Sequence, residues 1–240
     1  MQTKVDILAI GVHPDDVELS CSGTIAKQIH LGSKVAVLDL TKGELGTRGN
    51  PELREIEAKK SAEILGLSFR KCLDLGDGTF ENNFETRLKI IEVLRACQPR
   101  IVLANAIEDR HPDHGRAAKL ISESCFYSGL SKIETYHQGE KQEAFRPTSV
   151  YHYVQDYYLH PTFCVDVSDF IEVKLNSIKA FSSQFYNPDS NEPETPISSK
   201  EFLETVMAKM QVIGRQIGVK YAEGFISNRI VGVNSLDDLS

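Results

Sequence analysis

A chain of 240 residues with 41% hydrophobic content is long enough to bury a sizeable core and too apolar to stay disordered. Its 34 acidic side chains outnumber 27 basic ones, and the formal charge of −7, without any basic cluster, argues against nucleic acid or an anionic membrane as a partner. No apolar run reaches the roughly 18 residues that span a bilayer, and Met1-Gln2-Thr3-Lys4 leads directly into a strand-like run, so a cytoplasmic chain is expected. Cys21, Cys72, Cys97, Cys125 and Cys164 are odd in number and scattered, which predicts reduced thiols rather than a disulfide scaffold or a thiolate metal site.

The predicted elements alternate. Residues 5–12 form a continuous apolar run of strand length, and a helical period through Leu19, Ile25, Ala26 and Ile29 then carries to His30, where Leu31-Gly32-Ser33 stops it. Residues 34–40 predict a second strand, closing a βαβ unit with a right-handed crossover. The glycine-rich stretch 41–50 meets Pro51, well placed in a first helical turn, and a helix over 51–65 ends at Gly66. A strand over 70–75, a turn at Gly76-Asp77-Gly78, a helix over 84–97 and a strand from Arg100 or Ile101 to Ala104 follow. A fourth helix is expected over 114–127, then a polar connection over 131–146. Residues 150–154 and 163–167 predict strands, 169–185 a helix, and 199–214 a helix with Phe202, Val206, Met210 and Ile213 toward the core. Between these helices the polar, proline-rich stretch 186–196 is a surface loop and a candidate lid. The expected architecture is α/β, a Rossmann-like, mostly parallel sheet with helices on both faces, in one domain over residues 1–240.

Two turns carry the chemistry. His13-Pro14-Asp15-Asp16 follows the first strand and His111-Pro112-Asp113-His114 the fourth, roughly 100 residues on. Ligands of open α/β sheets bind beyond the carboxyl ends of the strands, so the turns converge if both strands end on one edge. A catalytic zinc site takes three protein ligands and leaves a fourth position open. The i, i+3 spacing puts His13 and Asp16 on one side of a forming helical turn, with Asp15 pointing elsewhere. The same spacing brings His111 and His114 together, either both on a metal or one on it and one beside it. Each turn could instead simply cap a helix, although capping alone does not require histidine in both. His30 sits where it can stabilise a helix dipole, and His137, His152 and His160 have no metal-like spacing. Gly43, Gly46 and Gly49 fit neither a dinucleotide fingerprint nor a Walker loop; they read equally as a close approach over a pocket or a flexible connection. Arg54, among Glu52, Glu55 and Glu57, reads by pattern alone as part of a solvated charged face.

Ala9-Ile10-Gly11-Val12-His13-Pro14-Asp15-Asp16-Val17-Glu18, Gly23-Thr24, Leu40-Thr41-Lys42-Gly43-Glu44, Arg54-x-x-Glu57 and Arg110-His111-Pro112-Asp113-His114 together resemble the LmbE-like, or PIG-L, N-deacetylases. The likeness extends through Phe163-Cys164-Val165-Asp166-Val167-Ser168 and Tyr221-Ala222-Glu223-Gly224-Phe225, and is greatest toward the bacillithiol biosynthesis deacetylases. It implies a Rossmann-like fold, one Zn2+ or another divalent transition metal such as Fe2+, and hydrolysis of the acetamide of an N-acetylglucosamine conjugate. In the bacillithiol branch that small-molecule substrate is N-acetylglucosaminyl malate. By motif position the resemblance implies His13, Asp16 and His114 as metal ligands and Asp15 as the base toward the attacking water. It implies His111 as support for the tetrahedral intermediate and proton donor to the amine, with Asp113 orienting its ring. Arg54, Arg110 and Arg146 are implied to hold substrate hydroxyls, the oxyanion or an acidic aglycone. A homo-oligomer, hexameric in many relatives, is implied as well. Two departures stand out: Ser20-Cys21-Ser22-Gly23 replaces a more glycine-rich run, and Phe202 stands where some relatives place a mobile tyrosine.

An imidazolium beside a carboxylate has a raised pKa, so His111 is expected to donate a proton near neutrality. Other substrates of the same chemistry are a chitooligosaccharide or an inositol conjugate. A metal-dependent phosphoester hydrolase would require a second metal or more phosphate donors. A nucleotide-binding module would need a phosphate loop, and none is present.

Overall fold

A computed structural model describes residues 3–188 and 190–239. The first half keeps the predicted alternation: β1 (Ile7–Gly11), α1 (Asp16–His30), β2 (Val35–Asp39), α2 (Pro51–Leu65), β3 (Phe69–Cys72), α3 (Phe84–Cys97), β4 (Ile101–Ala104) and α4 (Pro112–Tyr127). A short hairpin, β5 (Tyr136–His137) and β6 (Glu140–Lys141), occupies the polar connection. Then come β7 (Ser149–Tyr153), β8 (Phe163–Asp166), α5 (Ile171–Lys179), α6 (Lys200–Gln216) and β9 (Ala222–Ser227).

Seven strands form one sheet in the order β3-β2-β1-β4-β7-β9-β8. The first five are mutually parallel, and β9 runs antiparallel to β7 and β8. Helices cover both faces, and the alternation of side chains along β1 shows why its sequence is apolar throughout. Leu8 and Ile10 join one core with Ile90, Leu94, Leu120 and Ile121 of α3 and α4, while Ile7 and Ala9 join a second with Val17, Cys21 and Ile25 of α1. The strand order reverses at β1, with β2 on one side and β4 on the other. A crevice therefore opens beyond the carboxyl ends of β1 and β4, where both His-Pro-Asp turns begin.

Two elements differ from expectation. The helix expected over 169–185 is confined to Ile171–Lys179. Beyond it, Ser182 Oγ and the backbone N–H and Oγ of Ser183 donate to the Glu57 carboxylate of α2 at 3.0, 2.7 and 2.7 Å, which draws the chain out of helix. The second difference is β9, a strand that hydrophobic patterning missed, inserted with Phe225 opposite both Tyr153 and Phe163. It brings Glu223 into the interior, where the carboxylate accepts from Gly23 N, Thr24 N and Lys174 Nζ at 3.0, 2.7 and 2.7 Å. Lys174 also donates to Glu18 O and Leu19 O, so an ion pair from β9 and α5 grips the middle of α1. Only glycine fits at position 23, because a Cβ there would lie 2.9 Å from Val167 Cβ. Cys21, Cys97 and Cys125 are buried free thiols. Among the described residues no helix is long and apolar enough to cross a membrane.

Candidate active site

The first turn is shaped by its own last aspartate. Asp16 Oδ2 accepts from Val12 N at 2.9 Å and His13 N at 3.0 Å, folding the chain back as it leaves β1. Asp15, between them, is forced to φ 132°, ψ −22°, a left-handed conformation that disfavours any side chain. The result is a buried carboxylate that lines a cavity and makes no hydrogen bond among the described residues. The second turn is an N-cap. Pro112 opens α4, and His111 Nδ1 accepts from Asp113 N at 3.3 Å, so the neutral ring carries its proton on Nε2.

The turns meet. Ring centroids of His13 and His111 lie 4.8 Å apart, His13 and His114 5.6 Å, and His111 and His114 5.2 Å. His114 Nε2 is 3.1 Å from Asp16 Oδ1, and His13 Nδ1 is 3.8 Å from Asp16 Oδ2. His13, Asp16 and His114 each offer a ligand atom, all within 4.8 Å of one another. Two imidazoles and one carboxylate suit a divalent transition metal with a position left open. The distal nitrogens fit this reading, because His13 Nε2 lies 2.9 Å from Asp77 Oδ1 and His114 Nδ1 lies 2.6 Å from Asp109 Oδ2. Such carboxylate partners orient metal-binding imidazoles. They are themselves anchored: Leu45 N donates to Asp77 Oδ2 at 3.0 Å and Tyr157 N to Asp109 Oδ1 at 2.7 Å. A second donor set, His13, His111 and Asp113, shares His13 with the first. The set containing Asp16 is the better candidate, because both of its imidazoles have a carboxylate on the distal nitrogen, whereas His111 has only the backbone N–H of Asp113 on Nδ1.

Protonation follows these placements. Burial raises Asp15 to about 7, even though Arg54 draws it down. Burial opposes ionisation of Asp16 too, but His114 and His13 overcome it and hold that carboxyl far below the usual range. For His114, burial is outweighed by Asp16 and Asp109, which lift it to about 10. His13 is likewise raised, Asp77 and Asp16 prevailing over burial. His111 moves the other way. Burial, then the positive His13 and His114, lower it, opposite to the rise expected of an imidazole beside a carboxylate. Asp113 and Asp16 still pull it upward, but less than burial and the two positive rings push it down.

The three arginines separate. Arg54 is buried against the cavity, bonded to Gln184 Oε1, and its Nε has no hydrogen-bond partner among the described residues. It is no part of a solvated face, because the 43–49 loop covers it. A Cβ at Gly43 would overlap the guanidinium, which decides for the close-approach reading of those glycines. Arg110 stands half exposed at the rim with Nε 2.6 Å from Asp156 Oδ2. Arg146 does not line the cavity; it donates to Phe126 O near the far end of α4 and stacks on the Phe126 ring at 4.3 Å. The expected substrate contact from Arg146 is therefore not formed within this chain.

The cavity measures about 440 Å³. Its floor is the imidazole and carboxylate cluster; Leu45, Ile197, Phe202, Val206, Met210 and Ile213 supply an apolar wall. Phe202 stacks on Phe185 at 5.9 Å. Thr195, Pro196 and Ile197 bring the 186–199 stretch to the cavity, and Ser190 and Glu192 tie it to Arg48 and Gly49. Sequence reasoning missed Asp77, Asp109, Asn105 and Gln155. The turn Gly76-Asp77-Gly78 was visible only as a turn.

A donor set and a buried carboxylate at the switch point of a mostly parallel sheet define an α/β protein with a candidate catalytic metal centre. The chain belongs to the PIG-L family of de-N-acetylases. The family described as "PIG-L: GlcNAc-PI de-N-acetylase" matches residues 8–125. The diacetylchitobiose deacetylase of Thermococcus kodakarensis is 34% identical over 230 residues, covering 91% of this chain and 81% of that protein. Among solved structures, a conserved protein of Thermus thermophilus superposes with a TM-score of 0.85 at 35% identity, covering 96% of this chain and 98% of that one. The N,N'-diacetylchitobiose deacetylase of Pyrococcus horikoshii, solved with an inhibitor, gives a TM-score of 0.75 at 26% identity, covering 98% and 88%.

Proposed function

We propose that the protein is a zinc-dependent N-deacetylase acting on a neutral saccharide that ends in N-acetylglucosamine, a chitooligosaccharide before a malate conjugate. The observation that carries the reading is the convergence of His13, Asp16 and His114 beside the free carboxylate of Asp15 and the Nε2 of His111. His13, Asp16 and His114 would hold a divalent ion, which when bound would supply Lewis-acid polarisation of the acetamide carbonyl and a lowered pKa for the attacking water. Asp15 takes the proton of the attacking water, and an acid of pKa about 7 can then return it to the departing amine. His111 donates from Nε2 to the developing oxyanion. Arg54 draws the Asp15 pKa downward, favouring its ionised form.

The neutral saccharide is favoured by the arginines. Two malate carboxylates would want two free guanidinium groups, yet Arg110 is paired with Asp156 and Arg146 lies off the cavity. The apolar wall suits the faces of sugar rings. The test measures acetate release from N,N'-diacetylchitobiose, N-acetylglucosamine and N-acetylglucosaminyl malate, with metal analysis of protein purified without chelator. Acetate is expected fastest from the chitobiose, with about one zinc per chain. Fastest release from the malate conjugate would overturn the substrate, and iron in place of zinc would overturn the metal. Acetate from none, with phosphate from a generic phosphoester, would overturn the deacetylase reading.

A further inference from the structure

Asp16 is held by more than its own turn. Asn105, just beyond β4, donates from Nδ2 to Asp16 Oδ2 at 3.0 Å and to Gln155 Oε1 at 3.0 Å. Gln155, just beyond β7, donates from Nε2 to Asp16 Oδ1 at 3.2 Å. One carboxylate and two carboxamides thus close a ring of three hydrogen bonds at the carboxyl ends of three strands. The amide orientations are not interchangeable. Gln155 Oε1 also accepts from Ala106 N at 2.9 Å, and a backbone N–H can only donate, so Nε2 must face Asp16. Asn105 is fully buried, and its Oδ1 has no partner among the described residues. Leaving a buried carbonyl unsatisfied is costly, so this side chain is placed for its NH2 group and not for packing.

The ring treats the two Asp16 oxygens unequally. Oδ2 accepts from Val12 N, His13 N and Asn105 Nδ2, which fills its lone-pair directions. Oδ1 has a single amide donor and faces His114 Nε2. The ring also reaches α4 through a different strand. Asn105 O bonds His152 Nδ1 at 2.7 Å, and His152 Nε2 lies 3.1 Å from Ser122 Oγ, so the helix that begins beside His114 is tied to the residue that orients Asp16.

We propose that Asn105 and Gln155 are positioning residues for the metal centre, acting as one ring that makes Asp16 a ligand through Oδ1 alone. The inference rests on the metal-site reading above. With three donors on Oδ2 the centre would stay at low coordination number, and loss of the Asn105 donor would open one lone-pair direction of that oxygen to the ion.

The test loads the full chain and its Asn105→Leu, Gln155→Leu and double variants with Co2+. It records the visible absorption and measures Zn2+ affinity by competition with a chromophoric chelator, near-ultraviolet circular dichroism reporting the fold. Each single variant is expected to hold the ion about 10- to 100-fold more weakly. Asn105→Leu should also weaken the Co2+ absorption, because five-coordinate cobalt absorbs less than four-coordinate cobalt. Since the amides share one ring, the double variant should lose much less than the product of the single losses. Affinities and spectra equal to those of the unaltered chain, or losses that multiply in full, overturn the proposal. Should Asn105→Leu fail to fold, Gln155→Leu, on the cavity wall, decides alone on affinity: an unchanged value overturns the proposal. An unaltered chain that takes up neither ion overturns the metal site itself, and the proposal with it.

Discussion

Nδ1 of His114 lies 2.6 Å from Oδ2 of Asp109, five residues earlier in the loop between β4 and α4. That contact sets the ring so that Nε2 faces Asp16 Oδ1, and Tyr157 N fixes the other oxygen of Asp109. Asp109→Ala is expected to lower metal affinity about 10- to 100-fold while the fold persists. Chelator competition checks the affinity, and a metal-free melting curve checks the fold. Unchanged affinity would remove Asp109 from the support of the centre.

Metal uptake should expel protons. His114 in the metal-free chain is lifted to about 10, against an ordinary value of 6.5, by Asp16 and Asp109, which outweigh its burial. A raised imidazole pKa contributes stability fully below 6.5 and loses it as pH climbs through about 10, so between those limits an ion competes with a proton. Apparent metal affinity should therefore rise with pH up to about 10. Calorimetry at neutral pH in two buffers of different ionisation enthalpy should show release of about one proton or more per ion. Equal heats in both buffers would contradict the protonated state of His114.

Asp15 has the opposite linkage to an ion-paired carboxylate. Its pKa is raised by burial from 3.8 to about 7, so its protonated form stabilises the metal-free fold below 3.8 and that contribution is lost as pH rises through about 7. Asp15→Asn should therefore melt roughly 5 °C above the unaltered metal-free chain at pH 8, with the difference vanishing near pH 4. The same variant should lose deacetylation by about 100-fold or more while retaining its metal. Equal turnover would exclude Asp15 as the base, and equal melting at pH 8 would exclude its desolvated charge as a cost to the fold.

How much was legible in the sequence varies with how local the cause is. The bounds of α2 and α3 were readable because Pro51 with Gly66, and the apolar stripe through Leu88, Ile91 and Leu94 ended by Pro99, act within a few residues. The convergence of the two histidine turns was readable because both follow apolar strands of the kind that build one parallel sheet, and β1 does pair with β4. Arg54 was misjudged because its burial comes from a loop folding over α2 and not from the helix pattern. Asp77 is indistinguishable from an ordinary turn aspartate until the fold brings it to His13. The strand β9 was missed because its second residue is a buried glutamate whose partners lie on α1 and α5. Alternation cannot reveal a charge that only a distant lysine makes tolerable.

That lysine offers the sharpest stability test. Lys174 is fully buried, its Nζ 2.7 Å from Glu223 Oε1, and the pair feeds the carbonyls of Glu18 and Leu19 and the amides of Gly23 and Thr24. Lys174→Met leaves a carboxylate and two carbonyls without their cation, and Glu223→Gln leaves an ammonium without its anion. Each is expected to cost about 3–5 kcal/mol, since breaking one side of a buried pair strands the other charge. The double variant Lys174→Met with Glu223→Gln should cost less than the two together, because neither charge is then left alone. Urea unfolding with unchanged m-values measures all three. Losses below about 1 kcal/mol in both single variants would mean that the pair does not hold α1. Asp16, at the first turn of that helix, would then owe its position to its own turn and to Asn105 and Gln155 instead.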